Sequence, residues 1–348
     1  MNRAIYRIVD ANYNRAREGL RITEEFCRFA LDNEQLAAEC KEFRHRLSSA
    51  VAILDMQKLI SSRDTENDVG CGMHVAGQMK RQSLEDCVTA GLGRTTEALR
   101  AISEAISVTN SELAGEFEKL RYDCYTLEKN ISIIGFPAIK FKKTRLYCII
   151  TVQKGTDPLK IAQSCAVGGA DCIQLRAKEM SDSELLPLAR EFVHICKQNN
   201  VISIINDRAD IAIAADADGV HLGQNDLPAD EIRKMQLKPL IIGISTHSMA
   251  ELANAVAQKP HYVGIGSVFC TNTKKQVEIC ALDYVSKAAE YLKGKNVEAV
   301  AIGGISLDNI DDVLRAGAKR IAVSSCVCDS NDPAGLCKKL KEKILKNI

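Results

Sequence analysis

No stretch of this chain approaches the roughly 18 consecutive apolar residues that a membrane-spanning helix needs. Its first residues, "MNRAIYRIVDANYNRAREG", are charged and lack the apolar centre of a secretory signal, so a cytoplasmic protein without membrane contact is expected. An excess of either charge is also missing. The 46 Lys and Arg stand against 45 Asp and Glu, a net +1 that argues against nucleic acid or another bulk polyanion as partner. Cysteine is not scarce, at 14, but no C-x-x-C occurs and only Cys326 and Cys328 sit close together. Small buried thiols in a reducing compartment fit this better than a metal site or a disulfide framework. Proline is absent from the first 136 residues; all seven lie at or after Pro137.

What is present divides in the same place. With 348 residues there is room for about two domains. In the first part, Leu36, Cys40, Phe43, Leu47, Val51 and Leu54 recur at three- and four-residue steps, the apolar stripe of an amphipathic helix. Similar stripes run through 4–31, 75–110 and 112–130. "NISIIGFPAIKFKKTR" then breaks the pattern with Gly135, Pro137 and a basic cluster. The expected organisation is an all-helical domain over 1–130, a linker over 131–144 and a second domain over 145–348.

In the second part short β-branched runs alternate with helical stretches: "RLYCIIT", "CIQLR", "ISIIND", "GVHLG", "IIGIS", "YVGIGSV", "AVAIGG" and "RIAVSS". Eight near-continuous apolar strands imply parallel β structure. Eight such units in about 200 residues fit a small (β/α)8 TIM barrel, with a doubly wound open sheet as the other architecture. The class is therefore α/β, a barrel preceded by an all-α domain.

A barrel carries its chemistry at the C-terminal ends of the strands. Those positions hold Gln174, Arg176 and Lys178, then Asn206 and Asp207. Gln224, Asp226 and Ser245 follow, then Thr271, Thr273 and Lys274, and finally Gly303, Gly304, Ser324 and Ser325. Two carboxylates among oxygen-bearing neighbours suit Mg²⁺, commonly held by one or two carboxylates plus substrate phosphates. Arg176, Lys178 and Lys274 can neutralise a polyphosphate. The glycine pair after the seventh strand and the serines after the eighth occupy the usual phosphate position of barrels. Each motif alone has a plainer reading: "GG" as a turn, "TNTKK" as a solvated loop, "NDR" as a helix cap, His221 and His247 as core or loop residues. Their coincidence at seven strand ends favours a site for two anionic groups.

"QLRAK", "NDRADIAIAADADGVHLGQND", "GIS", "TNTKK", "AIGGI" and "VSS" together make residues 145–345 resemble the thiamine-phosphate synthases. Cys270, where the family often has proline, and Ser324, where an aliphatic residue is common, depart from the pattern without removing a charge. The resemblance implies condensation of 4-amino-5-hydroxymethyl-2-methylpyrimidine diphosphate with thiazole phosphate. It implies Asp207 and Asp226 as Mg²⁺ ligands, and Gln174, Arg176, Lys178, Asn206 and Lys274 around the diphosphate. It places Ser245 at the pyrimidine, and Thr271, Thr273, Gly304, Ser324 and Ser325 around the thiazole phosphate, with Leu175, Ala177, Asn272 and Gly303 as further substrate-binding residues. Lys274, Ser245 and Arg176 are the expected catalytic groups. A thiazole tautomerase-like isomerase is the competing barrel reading, but it has no need of a diphosphate site.

The helical half favours Arg over Lys, 13 to 5 in residues 1–130. Arg17, Arg21, Arg63, Arg94 and Arg121 each belong to a different polar cluster or turn and are the candidates for a shared anion pocket. The half resembles a helical domain fused ahead of some of these synthases and proposed to be an alternative hydroxymethylpyrimidine-phosphate kinase. That implies ATP as a further ligand, although no P-loop is present. A non-catalytic assembly or regulatory module is the other reading, and a homo-oligomer is left open.

Overall fold

Asn2, Asn33, Asp55, Ser83 and Asn110 each accept a backbone N–H with the side chain just ahead of a helix. Each thereby satisfies a donor that the helix itself cannot. The helices they start are α1 (Arg3–Phe29), α2 (Glu34–Ala52), α3 (Met56–Ser61), α4 (Leu84–Ser107) and α5 (Ser111–Asn130). The structure is a computed structural model that describes residues 2–73, 80–235, 238–270 and 281–347. It divides into two compact units, Met1–Phe136 and Pro137–Ile348.

In the first unit α1 and α4 pack closely because two glycines meet. A Cβ on Gly19 would lie 2.3 Å from the Gly91 carbonyl oxygen. Leu20, Leu92, Leu99, Ile102 and Phe117 fill the core. Of the stripe expected over 75–110, residues 75–79 lie outside the described residues, and from residue 80 onward helix begins at Leu84.

The expected linker is helical. A π-turn (Ile131–Gly135), in which Phe136 N–H reaches back to Ile131 O, leads into α6 (Phe136–Lys142). Pro137 is the second residue of α6, directly after the π-turn. Phe141 of α6 is fully buried and stacks on Tyr262, ring centroids 4.2 Å apart. The segment read as a connector thus supplies a core residue of the second unit.

That unit is a closed barrel of eight parallel strands in sequence order. They are β1 (Leu146–Thr151), β2 (Cys172–Arg176), β3 (Ile202–Asn206), β4 (Gly219–Leu222), β5 (Ile241–Thr246), β6 (Tyr262–Ile265), β7 (Glu298–Ala301) and β8 (Ile321–Val323). Closure rules out the doubly wound sheet. Around it run α7 (Pro158–Val167), α8 (Asp182–Gln198), α9 (Ala209–Ala214), α10 (Ala229–Met235), α11 (Met249–Ala257), α12 (Ala281–Tyr291), α13 (Ile310–Arg315), α14 (Ser325–Cys328) and α15 (Pro333–Lys346). Strand alternation sends Cys148, Ile150, Ile173 and Leu175 outward to the helices, and Tyr147, Ile149, Cys172 and Ile204 inward. Gly243 leaves room for an inward ring: a Cβ there would lie 2.0 Å from Tyr262 Cζ. Cys148, Cys165 and Cys337 are free thiols in the dry outer layer. No described helix is long and apolar enough to cross a membrane.

Candidate active site

The strand ends open into a cavity of about 230 Å³. Gln174, Arg176, Lys178, Asn206, Asp207, Asp226, Ser245, Gly303, Gly304, Ser324 and Ser325 all line it, as the strand-end pattern requires. Thr271, Asn272, Thr273 and Lys274 lie outside the described residues. Leu175 and Ala177 are not among the residues lining the cavity. β2 alternation turns Leu175 into the outer core, and Ala177 packs on that same layer, so neither side chain faces the cavity.

One side of the mouth is acidic and basic at once. Asp207 follows β3 in the left-handed region, φ 62°, with its N–H held by His221 O at 2.8 Å. Asp226 is fixed by Gly223 N–H, which donates to Oδ2 at 2.6 Å. Burial, and then the adjacent charge of Asp226, push the Asp207 carboxyl above its ordinary pKa, against the pull of Lys178 and Arg176. Lys178 Nζ lies 3.6 Å from Asp207 Oδ2. Arg176 is half-buried, and desolvation holds its pKa below the usual guanidinium value. An all-oxygen carboxylate pair whose charges repel across a half-buried gap fits a hard cation. Arg208, next in sequence, plays no part: it pairs with Asp182 and Asp210.

The other side presents backbone. Gly303 and Gly304 have φ of 111° and 62°, and a Cβ on Gly303 would lie 2.1 Å from Ser267 Oγ. The Gly303 carbonyl accepts from Phe269 N–H, and Asn309 Nδ2 donates to Gly304 O, so both carbonyls are held in place. Ser324 Oγ donates to Ile149 O at 2.9 Å, while Ser325 opens α14 at the rim, exposed. This is a concave place for a phosphate beside a separate cation-rich place for a second anion.

The floor was not anticipated. Tyr147 and Tyr262 line the cavity from below, and His221 bridges Tyr262 and Ser245 at 3.0 and 2.8 Å. The available signal was phase: His221 shares the inward face of β4 with Gly219. His247 also lines the cavity and meets Glu251 at 3.0 Å.

Comparison with known proteins decides what such a barrel belongs to. The family model described as "Thiamine monophosphate synthase" matches residues 146–327. The chain belongs to that family. A thiamine-phosphate synthase of Prochlorococcus marinus is 36% identical over 98% of this chain and 96% of its own. One of Rhodopirellula baltica is 37% identical over 94% and 89%. The solved thiamine phosphate pyrophosphorylase from Pyrococcus furiosus is 31% identical, with a TM-score of 0.55, over 59% of this chain and 98% of that one. Residues 7–130 match the ThiD2 family. The chain is thus a transferase of thiamine biosynthesis with a ThiD2-family domain ahead of its barrel.

In that helical domain four of the five arginines have separate partners. Arg63 makes a bidentate pair with the buried Asp10, at 2.6 and 2.8 Å. Arg121 binds Glu118 and Tyr125. Arg17 stacks over the Tyr13 ring, and Arg94 is exposed on α4. Only Arg21, paired with Glu25 at 2.6 Å, lines an open groove of about 980 Å³ between α1 and α2. Lys41 and Arg44 face it from α2, and Arg44 pairs with the buried Glu24. Of the five candidates the groove takes in Arg21, and it adds Arg44, which was not among them.

Proposed function

We propose that the barrel joins the pyrimidine diphosphate to thiazole phosphate by a dissociative route, releasing pyrophosphate. The observation carrying this reading is the division of one cavity into a cationic carboxylate corner and a backbone phosphate cradle, with no nucleophilic side chain needed between them. Asp207 and Asp226 would hold Mg²⁺, which supplies positive charge to the departing diphosphate oxygens. Arg176 and Lys178 neutralise the same group, as does Lys274 by sequence resemblance. Gln174 and Asn206 orient it. Ser245 reaches the pyrimidine ring. Gly303, Gly304, Ser324 and Ser325 hold the thiazole phosphate, so that the thiazole nitrogen is positioned for the pyrimidine-methyl cation as it forms.

For the helical half the ThiD2 match favours phosphorylation of hydroxymethylpyrimidine phosphate, which would supply the barrel's substrate. The groove with Arg21 and Arg44 on opposite walls is the place assigned to the phosphates. Supplying the whole chain with each precursor separates the two activities. Thiamine phosphate should form from the diphosphate without ATP, and from the monophosphate only with ATP. No product from the diphosphate sinks the synthase reading; product from the diphosphate alone sinks only the kinase reading.

A further inference from the structure

Beneath the cavity five side chains from five strands form one hydrogen-bonded line. Gln174 Nε2 lies 2.7 Å from Tyr147 Oη, which lies 2.9 Å from Tyr262 Oη. Tyr262 Oη lies 3.0 Å from His221 Nδ1, and His221 Nε2 lies 2.8 Å from Ser245 Oγ. Gln174, Tyr147 and Tyr262 are each 1% exposed, so bulk water cannot substitute for a missing partner. Burial pushes both phenols well above their ordinary pKa, which leaves each neutral with one proton to give.

A neutral phenol donates once, so the direction of the first bond propagates. The Gln174 amide nitrogen can only donate, and Tyr147 accepts from it. The Tyr147 proton then has two neighbours, the Tyr262 oxygen and the Cys172 sulfur. Sulfur is a weak acceptor, so the oxygen takes it. The Tyr262 proton goes to His221 Nδ1. A neutral imidazole that accepts at Nδ1 carries its proton at Nε2, and that proton points at Ser245 Oγ. Ser245 then has a lone pair engaged from below and its own proton left for the cavity.

We propose that this one-way line fixes His221 as the Nε2–H tautomer and leaves Ser245 with its proton to give to the cavity, so that the barrel favours an aromatic ring that turns an acceptor nitrogen towards Ser245. The identity of that ring as the pyrimidine rests on the function proposed above; the polarity of the line does not. Tyr147, Tyr262 and His221 are positioning residues, acting through Ser245. Gln174, which faces the cavity, doubles as the anchor of the line.

The test is long-range proton–nitrogen NMR on uniformly ¹⁵N-labelled, ligand-free protein at neutral pH, with the His221 ring assigned from His221→Gln. The expected spectrum shows His221 protonated at Nε2 and bare at Nδ1. In Tyr262→Phe, which keeps the ring volume, the Nδ1 donor is gone and the two tautomers should mix. The same variant should raise the KM for the pyrimidine diphosphate about two- to tenfold. The KM for thiazole phosphate and the response to Mg²⁺ should stay unchanged. A wild-type ring protonated at Nδ1, a doubly protonated ring, or a tautomer untouched by Tyr262→Phe overturns the proposal. The spectrum needs no turnover, so it can fail while the synthase reading stands, and the reverse.

Discussion

Asp207 and Asp226 face the same cavity at the barrel mouth, and burial, then the Asp226 charge, raises the Asp207 pKa. A pair held in that state is poised for a cation and is unfavourable without one. Asp207→Asn and Asp226→Asn should each lower turnover by at least about a hundredfold, the several kcal/mol that a metal's charge supplies in the transition state. Circular dichroism and steady-state rates check it; a variant with near-parental rates removes that residue from the metal site.

The same relationship sets a stability trend. A carboxyl whose folded pKa is raised binds its proton more tightly in the folded chain than in the unfolded one. Stability therefore falls as pH rises from the ordinary carboxylate value through the raised one, and stays lower at neutral pH. Asp207→Asn should melt above the parent at pH 7 in chelator. That advantage should shrink as pH falls back through the window. Melting curves across that window read it directly, and an advantage that grows towards acid contradicts the raised pKa.

Ser325→Ala should weaken thiazole phosphate far more than pyrimidine diphosphate. A hydrogen bond to a charged phosphate is worth about 1.5–3 kcal/mol, so the affinity loss should be roughly ten- to a hundredfold. Equal losses for both substrates would speak against two separate anion places.

Phe141→Ala should destabilise the barrel by about 3–5 kcal/mol, because a fully buried, stacked ring leaves a cavity. For the same reason a fragment over 137–348 should fold and make thiamine phosphate, while one over 145–348 should be markedly less stable. Equal melting temperatures for the two fragments would show that Phe141 is dispensable.

Much of this was legible in the sequence, for physical reasons that can be stated residue by residue. Asp207, Asp226 and Gly303-Gly304 stand out because charge and paired glycines closing apolar strands have few structural uses. Tyr147, Tyr262 and His221 do not stand out. An aromatic or histidine inside a strand looks like core, and only barrel closure shows that all three share one floor. Phe141 was hidden by Gly135 and Pro137, read as helix breakers although the π-turn holds the one and α6 the other. The arginines are hard to read for another reason. Arg63 answers the buried Asp10 fifty-three positions away, a partner that no local spacing reveals.

For the helical unit, Arg21→Lys should weaken ATP or pyrimidine monophosphate about ten- to a hundredfold if the groove holds a phosphate bidentately. Arg94→Lys, outside the groove, should change affinity little. Calorimetry with each ligand decides it; equal effects of the two changes, or no heat with either ligand, removes the groove from the account.

The central claim is that the Asp207–Asp226 corner drives departure of the diphosphate. Phosphorus NMR of pyrophosphate release from the pyrimidine diphosphate, with thiazole phosphate present, tests it most directly. The account predicts release with Mg²⁺, none with chelator, and none from Asp207→Asn at saturating Mg²⁺. Release at the parental rate with chelator or from Asp207→Asn would contradict it.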